Sequence, residues 1–397
     1  MQGSGAIVFN RSRRTAGLTA ALLAALALAA GCKPEIGPGR ENLLRASWKR
    51  RFAGDIVAVG LNAAGTVVVV ATTMDEKNRG EDRIVALDEG GTIAWEHGLD
   101  RRIVDLAVAA TGDLIVASLA DGTLRAWSGG RDAFQQAPCG GTATLSGSGD
   151  LIACHGGSGD VGSGEALQVF DRKGRRRWTF DDPAGIWDLG VSESGDGVVG
   201  LTQAGRIVAL DAKGRVAWTR ELGPVLGTVR LSPGDGRVVV VGTGIEGEKL
   251  LAFDRAGKPL WTAVSPGGGE SIAVSRGGAF VVVANNTTLG QRVSVFDGRG
   301  RLFWQFHLEQ PAREPVRVGI SDSSDHVYAV IERDGRPEIA VWDKHGEPLG
   351  VARFGSQLKD FSVTRDGRRF IVAARGGRFF YYDLRQGAVD DARSPER

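Results

Sequence analysis

Residues 207–218 read Ile207-Val-Ala-Leu-Asp211-Ala-Lys-Gly214-Arg-Val-Ala-Trp218. An apolar run ends at an Asp, a Gly follows three residues later, and a Trp follows seven residues after the Asp. The same triplet occurs five times: Asp88, Gly91 and Trp95; Asp171, Gly174 and Trp178; Asp211, Gly214 and Trp218; Asp254, Gly257 and Trp261; Asp297, Gly300 and Trp304. One structural unit is therefore repeated along the chain.

Three degenerate copies extend the repeat to eight. They start at Ser128, where Phe134 falls one residue early, at Asp343, which has Gly350 at the Trp position, and at Asp383. Consecutive copies are 40 to 46 residues apart, and this period is typical of four-stranded β-propeller blades. The apolar runs are short, rich in Val and Ile, and punctuated by Gly, which predicts strands and almost no helix after residue 33.

Each copy divides into four strands. In the fourth copy, residues 187–192, 197–202 and 206–210 predict strands A, B and C. Asp-x-x-Gly then predicts a tight turn, because an Asp carboxylate accepts backbone N–H bonds two residues on and Gly adopts left-handed conformations. Strand D follows and carries the Trp. We expect these Trp side chains to pack between blades, with stacking on a ligand as the alternative.

The ends of the chain predict how the ring closes. Asp383 is followed by a polar tail at 388–397 and not by a strand D. Residues 44–52 contain Trp48 and resemble the missing strand. We therefore predict an all-β, eight-bladed propeller over residues 44–387, in which an N-terminal strand completes the last blade and so removes two exposed sheet edges.

The N-terminus predicts export. Residues 1–14 contain three Arg and no acid, and residues 15–30 are apolar, as in a secretion signal. Ala29-Ala30-Gly31-Cys32 resembles the lipobox of bacterial lipoproteins, with Ala29 where Leu is usual. The resemblance implies a signal peptide over 1–31, lipid attachment at Cys32 and a tether over 32–43. A plain secretion signal with a free Cys32 is the alternative.

The residue after a lipidated Cys influences sorting in Gram-negative bacteria. Lys33 is not the Asp associated with retention in the inner membrane, so we expect a lipid-anchored protein of the cell envelope, at the periplasmic face of the outer membrane. The formal net charge of +2 gives no basic domain of the kind that nucleic acids bind.

Cys139 and Cys154 are the other two cysteines, and an oxidising compartment would permit a disulfide between them. If 146–151 is the A–B turn of the third blade, Cys154 lies opposite Ala143. Cys139 would then be four residues, roughly 13 Å, out of register. We therefore expect no bond unless a bulge or a folded-back loop brings the two together.

The sequence predicts no catalytic and no metal-binding residue. The five His show no metal-ligand spacing, and Gly267-Gly-Gly269 is not followed by the helix that a phosphate-binding loop requires. The turn Asp recur at one structural place in every copy, whereas catalysis needs a unique residue. Repetition favours an architectural role.

Residues 207–218 and 250–261 resemble the repeat of pyrroloquinoline-quinone-like propellers, in which an Ala-x-Asp turn precedes Gly-x-x-x-Trp. That family usually has one more residue between Asp and Gly. Its quinone-dependent dehydrogenases bind calcium and often carry a vicinal Cys pair, but no two Cys are adjacent here. The other branch includes a lipoprotein of outer-membrane β-barrel assembly, which has no cofactor. The resemblance implies a non-catalytic protein with no cofactor.

Strand alternation separates two faces of the ring. The A–B and C–D turns share one face, which carries many bases, Arg172, Lys173, Arg175, Arg176, Lys213, Arg215, Arg255, Lys258, Arg299 and Arg301. The B–C and D–A connections share the other, with variable loops at 72–83, 155–165, 242–248, 285–292 and 307–315. We expect the loops to bind a periplasmic or outer-membrane protein, with the basic turns as a second candidate and a solvated rim as its alternative. A propeller that binds a small molecule or glycan, or a quinone-dependent oxidoreductase, is the alternative function; we expect a monomer.

Overall fold

The computed structural model describes residues 42–73, 81–136, 139, 141–155, 166–223, 226–244, 247–265 and 271–386. The predicted signal peptide, Cys32 and the polar tail lie outside these residues. The described chain forms eight four-stranded sheets in which every pairing is antiparallel. This arrangement confirms the all-β, eight-bladed propeller. Its only helical elements among the described residues are two short 3-10 turns, Arg276–Gly278 and Leu384–Gln386.

Blade 1 contains β2 Asp55–Leu61, β3 Val67–Thr73, β4 Asp82–Asp88 and β5 Ile93–Leu99, and blade 2 contains β6 Ile103–Val108, β7 Ile115–Leu119, β8 Leu124–Ser128 and β9 Arg131–Gln136. Blade 3 contains β10 Ala143–Leu145, β11 Leu151–His155, β12 Leu167–Asp171 and β13 Arg176–Phe180, and blade 4 contains β14 Ile186–Val191, β15 Gly197–Thr202, β16 Arg206–Asp211 and β17 Val216–Glu221. Blades 5 to 7 contain β18 Leu226–Leu231, β19 Val238–Gly244, β20 Gly247–Phe253 and β21 Pro259–Val264; β22 Ser271–Val274, β23 Phe280–Thr287, β24 Gly290–Asp297 and β25 Leu302–Leu308; β26 Arg317–Ile320, β27 Val327–Arg333, β28 Arg336–Trp342 and β29 Pro348–Arg353. Blade 8 contains β30 Leu358–Val363, β31 Arg369–Ala374, β32 Arg378–Asp383 and, from the N-terminus, β1 Trp48–Arg51.

The ring closes as the sequence predicts. β1 pairs antiparallel with β32, and Trp48 lies opposite Tyr381. The Ser47 amide also donates a hydrogen bond of 2.8 Å to the Tyr381 carbonyl. The two ends of the chain therefore share the outer half of blade 8, and unfolding of either end opens the ring.

The core lies between blades. One cluster, for example, combines Ala153 and Val169 of blade 3 with Leu189 and Val198 of blade 4, and all four are buried. Strands B and C are Val-rich because both of their faces contact a neighbouring blade, whereas strand D begins with two exposed residues in most blades. Burial of these side chains is the main stabilising contribution to the ring.

The Asp-x-x-Gly turn has a specific geometry. In blade 4, the Asp211 carboxylate accepts backbone hydrogen bonds from Lys213 at 2.9 Å and Arg215 at 3.0 Å. Gly214 has φ of +78°, a conformation that side chains disfavour, and a Cβ there would lie 2.7 Å from the Trp178 ring of the preceding blade. Gly is therefore required both by the turn and by its neighbour.

That contact is repeated at the joints between blades. The D-strand aromatic ring of one blade lies against the turn glycine of the next: Trp48 against Gly91, Trp95 against Gly130, Phe134 against Gly174, Trp178 against Gly214, Trp218 against Gly257, Trp261 against Gly300, and Trp304 against Gly346. Four indole N–H groups also donate to a carbonyl of that turn, in the pairs Trp48/Glu89, Trp178/Ala212, Trp218/Arg255 and Trp304/Lys344. Each joint thus combines an aromatic contact with a turn that fits it.

Two irregular joints explain the degenerate copies. The turn after Ser128 contains only Gly129 and Gly130, so Phe134 reaches the position opposite Ala126 that Trp occupies in other blades. In blade 7, Gly350 leaves the Trp position empty, and the Leu44 side chain fills it. The Leu44 amide also donates to the Val351 carbonyl at 2.9 Å.

The expectation that Cys139 and Cys154 form no disulfide is wrong. Cys154 does lie opposite Ala143, yet Cys139 and Cys154 form a disulfide with a Cα–Cα distance of 6.1 Å. Cys139 is not on strand A of blade 3; its amide donates to the Gly122 carbonyl of blade 2, so the chain before β10 folds back over blade 3. Both side chains are buried.

Candidate interaction surfaces

One end of the ring, which we call the sealed end, is formed by the A–B and C–D turns. The first residue of every A–B turn is buried, namely Asn62, Ala109, Ser146, Ser192, Ser232, Ser275, Ser321 and Thr364. Seven of these eight are polar. The hydroxyl of Ser192, for example, accepts the Gly197 amide at 3.1 Å and so closes its own turn.

Backbone hydrogen bonds join these turns around the axis. In six of the eight turns, the second residue donates its N–H to the matching carbonyl of the next blade, in the pairs Ala63/Ala110, Ala110/Gly147, Gly147/Glu193, Arg276/Asp322, Asp322/Arg365 and Arg365/Ala63. These bonds link the turns from blade 6 through blades 7, 8, 1, 2 and 3 to blade 4. In these turns a polar first residue, where there is one, closes its own turn, and the second residue bonds the next turn.

An ionic cluster crosses the axis at the same end. Glu193 of blade 4 is paired with Arg365 of blade 8, which is on the opposite side of the ring, and with Arg276 of blade 6 at 3.3 Å. Arg276 also pairs with Asp322 at 2.8 Å. Burial alone would raise the pKa of Glu193, but hydrogen bonds from the two guanidinium groups hold it below its usual value. These side chains cross the channel at the sealed end, where they and the A–B turns line a cavity of about 290 Å³.

The turn glycines of the sequence repeat have a structural place at this end. Gly91, Gly174 and Gly300 have φ of +82°, +73° and +78°. A Cβ on Gly91 would lie 3.0 Å from the Trp48 ring, one on Gly174 would lie 2.5 Å from Phe134, and one on Gly300 would lie 2.6 Å from Trp261. These glycines therefore serve the joints between blades, and they offer no side chain to a ligand.

The other end, which we call the open end, is formed by the B–C turns and D–A connections. Two of the predicted variable loops are extended hairpins in their described parts: Asn286 pairs with Gln291, and Gly242 pairs with Lys249. Much of the predicted loops at 72–83 and 155–165 lies outside the described residues. The open end therefore differs between blades mainly in the length of its B–C hairpins.

A groove opens between blades 7 and 8 at this end. It encloses about 250 Å³ and is lined by the connection at 312–317, by the B–C turn of blade 7 and by the start of β30. Pro315, Pro337 and Leu358 give it apolar walls, and Arg313 and Glu332 give it charge. Large apolar side chains are exposed at the same end of the ring, among them Leu289 at 77%, Val104 at 52% and Trp187 at 47%.

Three carboxylates face the axis just inside the open end. Asp105, Asp188 and Asp360 follow the bulge at the start of strand A in blades 2, 4 and 8. Asp360 accepts the Val59 amide at 2.9 Å, and Asp188 accepts the Val229 amide at 2.8 Å, so each bonds the next blade. Among the described residues no such bond to the next blade is seen for Asp105, and burial raises its pKa to about 6. Two of the three thus have a structural role.

The basic turns lie at the rim of the sealed end. Half of their cations are paired with carboxylates, in the pairs Arg172/Asp113, Arg175/Asp171, Arg215/Asp211, Arg255/Asp196 and Arg301/Asp297. Among the described residues no ion pair is seen for Lys173, Arg176, Lys213, Lys258 and Arg299. The turn Asp residues 171, 211 and 297 have lowered pKa values; at Asp211 the main cause is the hydrogen bond from Arg215.

No three His, Cys, Asp or Glu side chains in the described part lie close enough together to hold a metal ion. The helical turns of the described chain are too short to cross a bilayer.

The described residues form an eight-bladed β-propeller built from one repeated unit. Residues 163–314 match the family model described as outer membrane protein assembly factor BamB. This match confirms the resemblance seen in the repeat. No curated protein matches the sequence at a significant level.

Solved structures of low sequence identity share the fold. BamB from Moraxella catarrhalis is 16% identical, with a TM-score of 0.64 over 86% of this chain and 100% of that one. Chaetomium thermophilum Sqt1, bound to the N-terminus of ribosomal protein L10, is 15% identical, with a TM-score of 0.65 over 86% and 100% of the two chains. The C-terminal WD40 domain of Sif2 is 15% identical, with a TM-score of 0.67 over 87% and 99%.

Proposed function

We propose that this protein is a non-catalytic, lipid-anchored propeller of the bacterial cell envelope, which binds a protein partner through its open end. The observation that carries the proposal is the asymmetry of the ring. Bonds between turns and the Glu193 cluster engage the polar groups of the sealed end around a cavity of about 290 Å³, whereas the open end has a groove with apolar walls and exposed apolar side chains. Rigid scaffolds commonly present recognition elements in this way.

Two independent features support a location in the cell envelope. The lipobox-like Ala29-Ala30-Gly31-Cys32 is followed by Lys33, which favours the periplasmic face of the outer membrane. The buried disulfide between Cys139 and Cys154 suits an oxidising compartment. Replacement of Cys32 by Ser should move the protein from the membrane fraction to the soluble periplasmic fraction. Retention in the membrane fraction would count against the anchor.

A protein partner is favoured over a small ligand by the way the open end presents its apolar groups. Val104 and Trp187 are exposed at the surface, whereas small-molecule sites are concave and enclose most of their ligand. Among the structural neighbours, BamB is named as an outer membrane protein assembly factor. Sqt1 is named as bound to the N-terminus of ribosomal protein L10. We extend to this chain the binding of a protein, and propose outer-membrane protein assembly as the process.

The test is co-purification after gentle detergent extraction. Val104→Ser combined with Trp187→Ser removes two exposed apolar side chains at the start of strand A, at the open end. We expect this variant to melt like the wild type and to lose at least tenfold of its partner. Ile93→Ser combined with Leu349→Ser is the matched control, because both side chains are exposed at the start of a strand D, at the opposite end. Equal recovery of the partner by both variants would reject the open end as the docking surface.

A further inference from the structure

The C–D turns differ in charge around the ring. In blades 3 to 6 they span residues 171–176, 211–215, 254–258 and 297–301, and we call these four turns the basic rim. They contain ten Lys and Arg against four Asp. The corresponding turns of blades 7, 1 and 2, at 343–347, 88–92 and 128–131, contain two Lys and Arg against four Asp and Glu. Among these C–D turns, an excess of positive over negative charge is therefore confined to the arc of blades 3 to 6.

The free cations of the basic rim are presented in a regular way. Lys173, Lys213 and Arg299 each follow the turn Asp by two residues, and their backbone N–H groups bond its carboxylate at 2.9 Å. Their side chains are exposed, and no ion pair is seen for them among the described residues. The turn therefore fixes the backbone and leaves the charge in solvent.

Exposed apolar side chains lie next to these cations. Strand D begins immediately after each turn, and its first residues include Val216 at 51% exposure, Leu260 at 40%, Leu302 at 40% and Phe303 at 41%. These four belong to blades 4, 5 and 6, which are consecutive in the ring. Cations beside apolar groups that reach solvent are the composition of surfaces that rest on an anionic bilayer.

The point at which the N-terminal segment leaves the ring agrees with a membrane contact at the basic rim. Asn42 lies at the outer edge of blade 7, where its carbonyl accepts the Val351 amide at 2.9 Å. Even fully extended, the chain from Cys32 to Asn42 spans at most roughly 35 Å. A lipid on Cys32 would therefore hold this edge of the ring near the membrane, two blades from Leu260.

We propose that the basic rim, with the apolar residues that follow it in blades 4 to 6, contacts an anionic phospholipid surface. The cations bind phosphate headgroups, and the Leu and Phe side chains insert at the interface. The open end then points away from the bilayer toward a partner. This inference concerns a different surface from the partner site, and it needs neither an acyl chain nor a partner.

The test uses vesicles and a chain that carries no lipid. The chain starts at position 32 with Cys32→Ser, so that it contains every described residue. Binding is measured by co-sedimentation with vesicles of equal parts phosphatidylethanolamine and phosphatidylglycerol, and with vesicles of phosphatidylethanolamine and phosphatidylcholine. We expect binding only to the anionic vesicles, with a strong decrease as salt is raised.

The first variant removes three positive charges and keeps the turn backbone; it combines Lys173→Gln, Lys213→Gln and Arg299→Gln. We expect this variant to bind on the order of 100-fold more weakly, since each surface cation contributes about fivefold. The matched control is Arg102→Gln, Arg336→Gln and Arg375→Gln, which removes three exposed charges from the open end and should bind like the wild type. Equal loss in both variants, loss in neither, or equal binding to the neutral vesicles would overturn the proposal.

The apolar contribution has its own pair of variants. Leu260→Ser should weaken binding severalfold at high and low salt, because its effect is not electrostatic. Leu289→Ser, at 77% exposure on a B–C turn of the open end, should have no effect. An equal effect of the two substitutions would remove the apolar residues from the proposed contact.

Discussion

The two ends of this propeller are built from the same strands and differ in what their connections bond to. At the sealed end, carboxylates, hydroxyls and backbone N–H groups bond neighbouring turns, and Glu193, Arg276 and Arg365 cross the axis. At the open end, the connections leave a groove and expose Val104 and Trp187. Substitutions near the sealed end should therefore change stability, and those at the open end should change binding.

Two Trp→Ala substitutions test this difference directly. Trp218 lies in a joint, against Gly257, and donates to the Arg255 carbonyl at 2.9 Å. Its replacement should lower the free energy of unfolding by about 3–5 kcal/mol. Trp187 is 47% exposed, and its replacement should change that free energy by less than about 0.5 kcal/mol. Urea denaturation of both variants checks this, and equal losses would contradict the comparison.

The disulfide is a stabilising element that belongs to the open end. It closes a loop over a sequence separation of 15 residues and holds the D–A connection against blade 3. Cys139→Ser combined with Cys154→Ser should lower stability by about 3 kcal/mol. Titration of the denatured, unreduced wild type should find neither thiol free. Two reactive thiols and an unchanged melt in the double variant would show that the bond does not form.

The irregular joint of blade 7 predicts a smaller effect. Leu44 fills the Trp position left by Gly350, so Leu44→Ala should lower stability by about 2 kcal/mol. The adjacent Leu43 is 55% exposed, and Leu43→Ala is the control, with little change expected. Thermal melts of the two variants test whether the N-terminal segment is packed against blade 7. Identical melting temperatures would indicate that it is only loosely attached.

Asp105 and Asp188 should respond in opposite directions. Burial raises the pKa of Asp105 from 3.8 in the unfolded chain to about 6 in the folded protein. At pH values above both of these pKa values, the buried carboxylate is ionised and destabilises the fold. Asp105→Asn should therefore raise stability by about 1–3 kcal/mol at pH 7. The gain should shrink as pH falls through 6 and vanish below about 4, where both states are protonated.

Asp188→Asn is the control at the equivalent position of blade 4. Asp188 accepts the Val229 amide at 2.8 Å and pairs with Arg230 at 2.9 Å, so its replacement should destabilise by about 1–2 kcal/mol at pH 7. Chemical denaturation between pH 4 and pH 8 measures both variants. A loss of stability in Asp105→Asn would show that its carboxylate has a partner.

The sequence predicts the fold because the information is local and repeated. Spacing from Asp211 to Trp218 fixes a turn and a strand, and eight copies of it fix the number of blades. Trp48 predicts the closing strand because it resembles the other strands D. The register that places Cys154 opposite Ala143 also follows from turn positions.

Contacts between distant residues could not be predicted from one sequence. Gly350 shows that a Trp position is empty, but nothing local indicates that Leu44 fills it. The disulfide was missed because it depends on a folded-back segment, whereas register counts only strand residues. The polar first residue of most A–B turns, such as Ser192 and Thr364, was a usable signal for a buried side chain that closes its own turn.

Photocrosslinking in intact cells tests most directly whether a partner docks at the open end. A photoreactive amino acid is placed at Trp187 and, in a second strain, at the exposed Ser194, so that one blade carries probes at both of its ends. The account predicts a protein adduct of defined mass at position 187 and none at position 194. The same adduct at position 194, with none at 187, would contradict it.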